Sequence, residues 1–426
     1  MKYTIPALLL SLFAFTSLHA QQTIIHAGTL FDGEQTELQH EVTITVSDGI
    51  IQSVQNGFIE PDSDSEFIDL SNKTILPGLI DLHVHLEGET SPDRQVERFT
   101  LNPEDLAFRS AVHAKTTLMA GFTTVRDLGG SGVNIALRNA INQGLTDGPR
   151  IITVGNGLAT TGGHGDATNS YRRDLMGQPG PAEGIVNGVA SAREAVRQNY
   201  KHGVDHIKLT ATGGVLSVVR SGENPQFMTD ELEAVVQTAT DYGMHVAAHA
   251  HGKEGMLRAV KAGVLTIEHG THMDEEVMQA MVEHGTYYVP TISAGKFVAE
   301  KAEVEGYYPP LVVPKARELG PLIQDTFGRA YDYGVKIAFG TDAGVFYHGD
   351  NAGEFVYMVE AGMPADEAML SATRIAAKVL GLEDEIGTVS EGKSADLIAV
   401  EGNPLEQIEL LKDVQFVMKQ GKIYKR

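Results

Sequence analysis

His83 and His85 flank a single residue in Leu82-His83-Val84-His85. A β-strand projects residues i and i+2 to the same face, so two imidazoles spaced this way can share one metal ion. Asp81 lies on that face too, one step deeper. Alone, a His-x-His pair suits a barrel core as well as a metal site. Four more residues change the balance. His249 closes an apolar run in Val246-Ala247-Ala248-His249-Ala250-His251-Gly252, and His269 closes another in Thr266-Ile267-Glu268-His269-Gly270-Thr271. Asp342 follows Ala338-Phe339-Gly340-Thr341, and Lys208 stands near the end of His206-Ile207-Lys208-Leu209-Thr210. Each lies where a strand passes into a loop. The chain has 426 residues and 0 Cys, which excludes disulfides, thiolate nucleophiles and Cys-based zinc sites. A metal here must take His, carboxylate or modified Lys.

The elements that must position these groups alternate in type. Short apolar runs at 80–85, 123–127, 151–154, 206–210, 245–249, 266–269, 287–291 and 336–340 read as strands. Helical patterns lie between them, as at 103–119, 230–242, 253–261 and 364–380. Eight strand–helix units over about 300 residues match an α/β fold of the (β/α)8 TIM-type barrel class, whose catalytic groups sit at the C-terminal strand ends. Both chain ends read instead as β-hairpins with turn signals, such as Ser47-Asp48-Gly49. The expected organisation is a barrel over 78–384 and a flanking β-sandwich built from 21–77 plus 385–426. The loop at 160–183 is long enough to serve as a substrate lid.

Hydrophobic residues make up 42% and charged residues 21%, the balance of a chain that folds. There are 33 Lys+Arg against 56 Asp+Glu, a net charge of -23, which argues against nucleic acid or an anionic membrane surface as partner. Residues 1–20 hold Lys2, an apolar run from Ile5 to Phe15 and small residues up to Ala20. They read as a cleavable signal peptide, too short to span a membrane. The expectation is an exported protein without a membrane anchor, in the periplasm or outside the cell.

Leu76-Pro77-Gly78-Leu79-Ile80-Asp81-Leu82-His83-Val84-His85 resembles the first-strand motif of the metal-dependent amidohydrolase superfamily. The resemblance extends to the closing Gly387-Thr388-Val389 and Gly392-Lys393-Ser394-Ala395-Asp396-Leu397. Ala211-Thr212-Gly213-Gly214-Val215-Leu216-Ser217 and the Ala-His-Ala-His-Gly stretch are similar to the branch of Xaa-Pro-type dipeptidases, ochratoxin-hydrolysing amidases and imidazolonepropionase-like proteins. The resemblance implies two divalent metal ions, zinc being the expected one. His83, His85 and Asp342 would hold one ion, and His249 and His269 the other. Lys208 would bridge them as a carbamate formed with CO2. A metal-bridging hydroxide would attack an amide carbonyl, with Asp342 passing the proton to the leaving nitrogen. His164, in Gly162-Gly163-His164-Gly165-Asp166, would face the substrate carbonyl or carboxylate, and His251 would orient the oxyanion or support His249.

Arg172, Arg173 and Arg220 are candidates for a substrate carboxylate, because a guanidinium matches it bidentately. Phe227 stands where some dipeptidase relatives carry Tyr; lacking the hydroxyl, it favours an apolar or aromatic substrate. Glu87 and Glu89 are expected on solvated faces. The expected function is hydrolysis of a small carboxylate-bearing amide: an N-acyl amino acid such as ochratoxin A, or an Xaa-Pro-class dipeptide. The alternatives are a cyclic-amide or imidazolone hydrolase, a deaminase, and a non-catalytic periplasmic metal-binding protein. Relatives that deaminate work with one metal and no bridging lysine, so Lys208 speaks against them. Metal storage needs no proton shuttle, so Asp342 speaks against the last. A homo-oligomer stays open, since the 230–242 helix could serve an interface or the core.

Overall fold

A computed structural model describes residues 22–426; the expected signal peptide lies outside them. Strands Thr23–Leu30, Gln39–Ser47, Ile50–Asn56 and Glu66–Pro77 join Leu397–Glu401, Phe416–Lys419 and Lys422–Lys425 in one seven-stranded sheet. The seam between the two chain ends is antiparallel, running from Leu397 opposite Pro77 to Glu401 opposite Lys73. Alternation buries Ile25, Ile44, Ile75, Leu397 and Phe416 in a shared apolar core. The Ser-Asp-Gly turn forms as read. Asp48 and Gly49 both have positive φ, 51° and 77°, which suits the twist of a two-residue hairpin.

From Leu79 onward, parallel strands alternate with helices. Leu79–Val84, Phe122–Asp127 and Arg150–Thr153 pair as one group, and Ile207–Thr210, Val246–Ala250, Thr266–His269 and Tyr287–Val289 as another. Backbone hydrogen bonds cross between the groups on both sides. Leu158 N–H donates to the Lys208 carbonyl at 2.7 Å, and Asp205 N–H to Thr153 at 2.8 Å. On the other side Tyr288 N–H reaches Lys336, Leu82 N–H reaches Phe339, and Asp342 N–H reaches His83.

The expected eighth strand, 336–340, is therefore in place between the seventh and first strands, but without the regular ladder of a strand. Its last residues turn their groups inward: Thr341 gives both its N–H and its hydroxyl to Asp81. The seventh strand stops two residues early because Pro290 lacks an N–H and Thr291 has φ 55°. The helix expected at 364–380 is two helices, Ala365–Ser371 and Arg374–Leu380, broken where Thr373 leaves helical geometry at φ -128°, ψ -100°. Helix Pro103–Met119 matches its expected bounds. Among the described residues no helix is long and apolar enough to cross a membrane.

Candidate metal centre

The chemistry-bearing side chains gather at the C-terminal ends of the parallel strands. Ring centroids of His83 and His85 are 5.4 Å apart, those of His83 and His269 5.1 Å, and those of His249 and His269 4.6 Å. His251 stacks on His269 at 5.0 Å, and His164 stacks on His249 at 4.3 Å.

One nitrogen of each clustered imidazole is held from behind. His83 Nδ1 donates to Glu268 Oε2 at 2.9 Å, and His85 Nδ1 to the Gly129 carbonyl at 3.0 Å. His269 Nδ1 bonds the Thr291 hydroxyl and His251 Nδ1 the Thr271 hydroxyl, both at 2.8 Å. His249 Nε2 donates to the Gly213 carbonyl at 3.0 Å. The second nitrogen of each ring is left for the cluster, the arrangement by which outer partners orient metal-binding histidines. The ligand atoms of His83, His269 and Asp342 lie within 4.8 Å of one another, as do those of His249, His251 and His269.

Asp342 supplies the test of fit. Its Oδ1 is buried and makes no hydrogen bond, although His85 Nε2 is 3.3 Å away and His83 Nε2 3.5 Å. Ligand atoms bonded to one tetrahedral cation at 2.0–2.1 Å stand roughly 3.4 Å apart. Each of these nitrogen–oxygen spacings suits two ligands of one divalent cation, His269 rather than His85 completes the close group with His83 and Asp342, and the histidine-rich group can hold metal. Three non-glycine residues here have positive φ: His269 at 74°, Thr291 at 55° and Asp342 at 63°. Such strain costs on the order of 1–3 kcal/mol per residue and collects at functional sites.

The electrostatics keep these imidazoles neutral except His85, where Asp342 outweighs burial and raises the ring above its usual range. Burial is the main cause, with neighbouring positive charge added. It pushes His83 down to about 4, His164 and His251 to about 3, and His249 and His269 well below their usual range. Neutral imidazole is the form that binds metal. Burial also pulls the Lys208 ammonium down to about 8. Burial would raise Asp342, but its imidazole neighbours and Lys208 outweigh it and hold the carboxyl down to about 2.

Arg172, Arg220 and Phe227 lie apart from this cluster. Arg172 is exposed and paired with Asp174, Arg220 is exposed, and Arg173 opens the short helix Arg173–Met176. Phe227 is fully buried in the main apolar core, and its carbonyl accepts from Arg258. Glu87 and Glu89 correct their expectation of a solvated face. Glu87 accepts the N–H groups of Ser131 and Asn134 at the start of helix Val133–Asn142, and Glu89 accepts the His348 N–H. These acids sit where unpaired loop and helix N–H groups need an acceptor.

Several supporting residues were not singled out from the sequence. Glu268 shares its carboxylate between His83 and the buried Arg126, whose Nε donates to the Leu82 carbonyl at 2.7 Å. A charged residue inside each of two apolar strands was the available signal, because a buried charge requires a partner. Lys315 donates to the carbonyls of Gly214, Ser217 and Val219, pinning the loop whose Ser217 hydroxyl meets His164 Nδ1 at 2.8 Å. A cavity of about 50 Å³ beside this loop is bordered by Val215, His251, Thr271 and Lys315. A larger one, about 150 Å³, lies at the opposite strand ends between His245 and His284, and none of the clustered residues borders it.

Residues 74–424 match the amidohydrolase family model. The chain belongs to the amidohydrolase family. It is a hydrolase of amide and peptide bonds, with the α/β fold of TIM-barrel type. This amidohydrolase is 34% identical over 433 residues to an ochratoxinase from Aspergillus niger, covering 95% of this chain and 87% of that protein. It superposes on a crystal structure of an Xaa-Pro dipeptidase with methionine bound in its active site. The TM-score there is 0.93 at 53% identity, covering 95% of this chain and 100% of the other. A prolidase crystallised with N-methylphosphonate-L-proline gives a TM-score of 0.88 at 32% identity, covering 95% and 100%.

Proposed function

We propose that this amidohydrolase is binuclear and cleaves the amide bond of a small carboxylate-bearing substrate, either an N-acyl amino acid such as ochratoxin A or a dipeptide of the Xaa-Pro class. The observation that carries the reading is the buried, unbonded Asp342 Oδ1 between two imidazole Nε2 atoms. The similarity to an ochratoxinase and to Xaa-Pro dipeptidases supports the substrate class. In this reading His83, His85 and Asp342 hold one ion, and His249 and His269 the other. Zinc suits their nitrogen and oxygen donors. Lys208, as the CO2-derived carbamate, would supply an anionic oxygen donor to them. The ions, when bound, supply Lewis acidity toward the substrate carbonyl and the attacking water.

The chain's own groups do the rest. Asp342, ionised at neutral pH, accepts a proton from water and delivers it to the leaving nitrogen, which departs poorly until protonated. Lys208, with its pKa near 8, keeps part of its amine unprotonated at neutral pH, the form that condenses with CO2. His164 and His251, each bonded through Nδ1, have Nε2 available to orient the substrate carbonyl or carboxylate. The same reading takes residues 78–384 as a closed (β/α)8 barrel and 21–77 with 385–426 as the flanking sandwich. It takes 1–20 as an export signal.

Metal analysis combined with a hydrolysis panel tests this. The mature protein is expected to hold about two ions per chain. It is expected to release amine from N-acyl-phenylalanines, ochratoxin A or Xaa-Pro dipeptides, and to stop when chelated. Bound metal with no turnover of any of these would refute the reading, as would turnover that survives complete metal removal.

A further inference from the structure

His164 comes from a long loop and not from a strand end, so another part of the chain must hold its ring against His249. One excursion of the backbone does this. After strand Ile207–Thr210 the chain leaves at Gly213 and returns at Asn224. Backbone hydrogen bonds close its base: Gly213 N–H donates to the Asn224 carbonyl at 3.1 Å, and Gln226 N–H to the Ala211 carbonyl at 2.9 Å. The returning arm supplies Gln226 Oε1, which accepts the His164 N–H at 2.7 Å. The outgoing arm supplies Ser217, whose hydroxyl meets His164 Nδ1 at 2.8 Å. The Gly214 backbone passes so close to the ring that a Cβ there would stand 2.2 Å from it. His249 depends on the base instead, because its Nε2 donates to the Gly213 carbonyl.

The tip of the excursion is held from outside. Lys315 Nζ donates to the carbonyls of Gly214, Ser217 and Val219 at 2.9, 2.8 and 3.1 Å. An ammonium has three N–H donors, and each finds a carbonyl. Lys315 makes no ion pair among the described residues, so these oxygens are its partners. Its place in its own helix is unfavourable. Lys315 is the third residue of helix Val313–Tyr333, whose start has no side-chain cap. The positive end of a helix dipole disfavours a cation in the first turn. The charge is placed for the loop and not for the helix. A second contact fixes the same pair of elements: Val215 packs with Val312, Ala316 and Leu319, in a small apolar cluster apart from the main core.

We propose that Lys315 is a positioning residue for His164. Its ammonium draws three carbonyls of the tip together, and this sets the Ser217 hydroxyl and the Gly214 backbone that aim the imidazole. The proposal rests on the hydrolytic reading for what His164 does and adds the residue that fixes its orientation. Without the cation, three carbonyl oxygens converge with no donor between them, and the tip relaxes. The base stays closed, so His249 keeps its place.

Lys315→Met keeps a long side chain and removes the charge. The zinc-loaded protein is assayed on whichever of N-acetyl-L-phenylalanine, ochratoxin A and methionyl-proline the wild type turns over best. Lys315→Met is expected to lower kcat/KM roughly 10- to 100-fold while bound metal stays at the wild-type level. In a His164→Ala background the same change is expected to cost less than about 3-fold, because a residue acting through His164 then has nothing to position. Lys315→Arg should recover part of the loss. Ammonium or methylammonium chloride should do the same for Lys315→Ala, whereas tetramethylammonium, which has no N–H, should not. Additive effects of the Lys315 and His164 substitutions overturn the proposal. So do loss of metal from Lys315→Met, unchanged kcat/KM, or equal rescue by tetramethylammonium.

Amide hydrogen exchange read by mass spectrometry separates this proposal from the hydrolytic one. Lys315→Met is expected to speed exchange at 214–219 and to leave 246–252 as in the wild type. Faster exchange confined to the tip, in a protein that hydrolyses none of the three substrates, keeps Lys315 as the anchor and refutes the hydrolysis. Unchanged exchange at 214–219 refutes the anchor whatever the turnover.

Discussion

Asp342 and Lys208 are the residues on which the proposed chemistry turns, and each can be removed separately. Asp342→Asn keeps an oxygen toward His83 and His85 but cannot carry a proton. It is expected to retain bound metal and lose kcat by roughly 10²- to 10⁴-fold, the usual range for a lost general acid–base. Near-normal turnover in that variant would remove Asp342 from the proton path. Lys208→Ala leaves space at the buried end of the fourth strand where an anionic oxygen donor is needed. Metal content measured by atomic emission should fall, and short-chain carboxylates should restore part of the activity. Unchanged metal stoichiometry would eliminate the bridge.

Helix Ile292–Lys301 shows how an element can be committed to the site. Its N-cap residue, Thr291, has the right side chain for capping, but that hydroxyl is engaged by His269 and makes no cap bond. The exposed donors at the helix start are met from another element. Glu354, fully buried in helix Gly353–Glu360, accepts the Ile292 and Ser293 N–H groups, one on each oxygen, both at 2.7 Å. Glu354→Ala strands two buried donors and is expected to cost roughly 2–6 kcal/mol, at about 1–3 kcal/mol per unmet group. Urea unfolding measures it; a loss under 1 kcal/mol would mean that water replaces the carboxylate.

Contacts of this kind set the limit of what a sequence discloses. His83, His85, His249 and His269 were legible because strand periodicity and strand ends are local patterns. Helix Pro103–Met119 was legible because Asn102 and Pro103 mark its start. Arg126 meets Glu268 across 142 residues of chain, and no local period reports that. The break at Thr373 likewise follows from a hydroxyl bonded back to Met369, a choice the apolar spacing of 364–380 does not express.

At the scale of the molecule, the decisive quantity is the number of histidines buried uncharged. His83 and His348 are pushed down to about 4, and His164, His206 and His251 to about 3, burial being the main cause in each. In the unfolded chain each titrates near 6.5. Between pH 6.5 and about 4 the unfolded state therefore binds more protons than the native state, and stability falls as pH falls. This contribution is complete above 6.5 and is lost as the pH drops through the native values. Each such histidine contributes a slope of up to about 1.4 kcal/mol per pH unit in that window. Two effects oppose it: acid relieves the self-repulsion of a chain at net charge -23, and burial raises Asp81 and Asp127 to about 6 and Glu354 to about 8, so the native state takes up those protons first. Exposed charges in water interact weakly, and the buried histidines outnumber these three carboxyls, so the net loss below pH 6.5 remains. Metal-free protein is accordingly expected to lose thermal midpoint steadily from pH 7 to pH 4, and metal-loaded protein to hold its midpoint to lower pH until protons displace the ions. A flat metal-free profile from pH 7 to pH 5 would mean that these imidazoles titrate in the native state as they do in the unfolded chain, which would remove the effect of their burial.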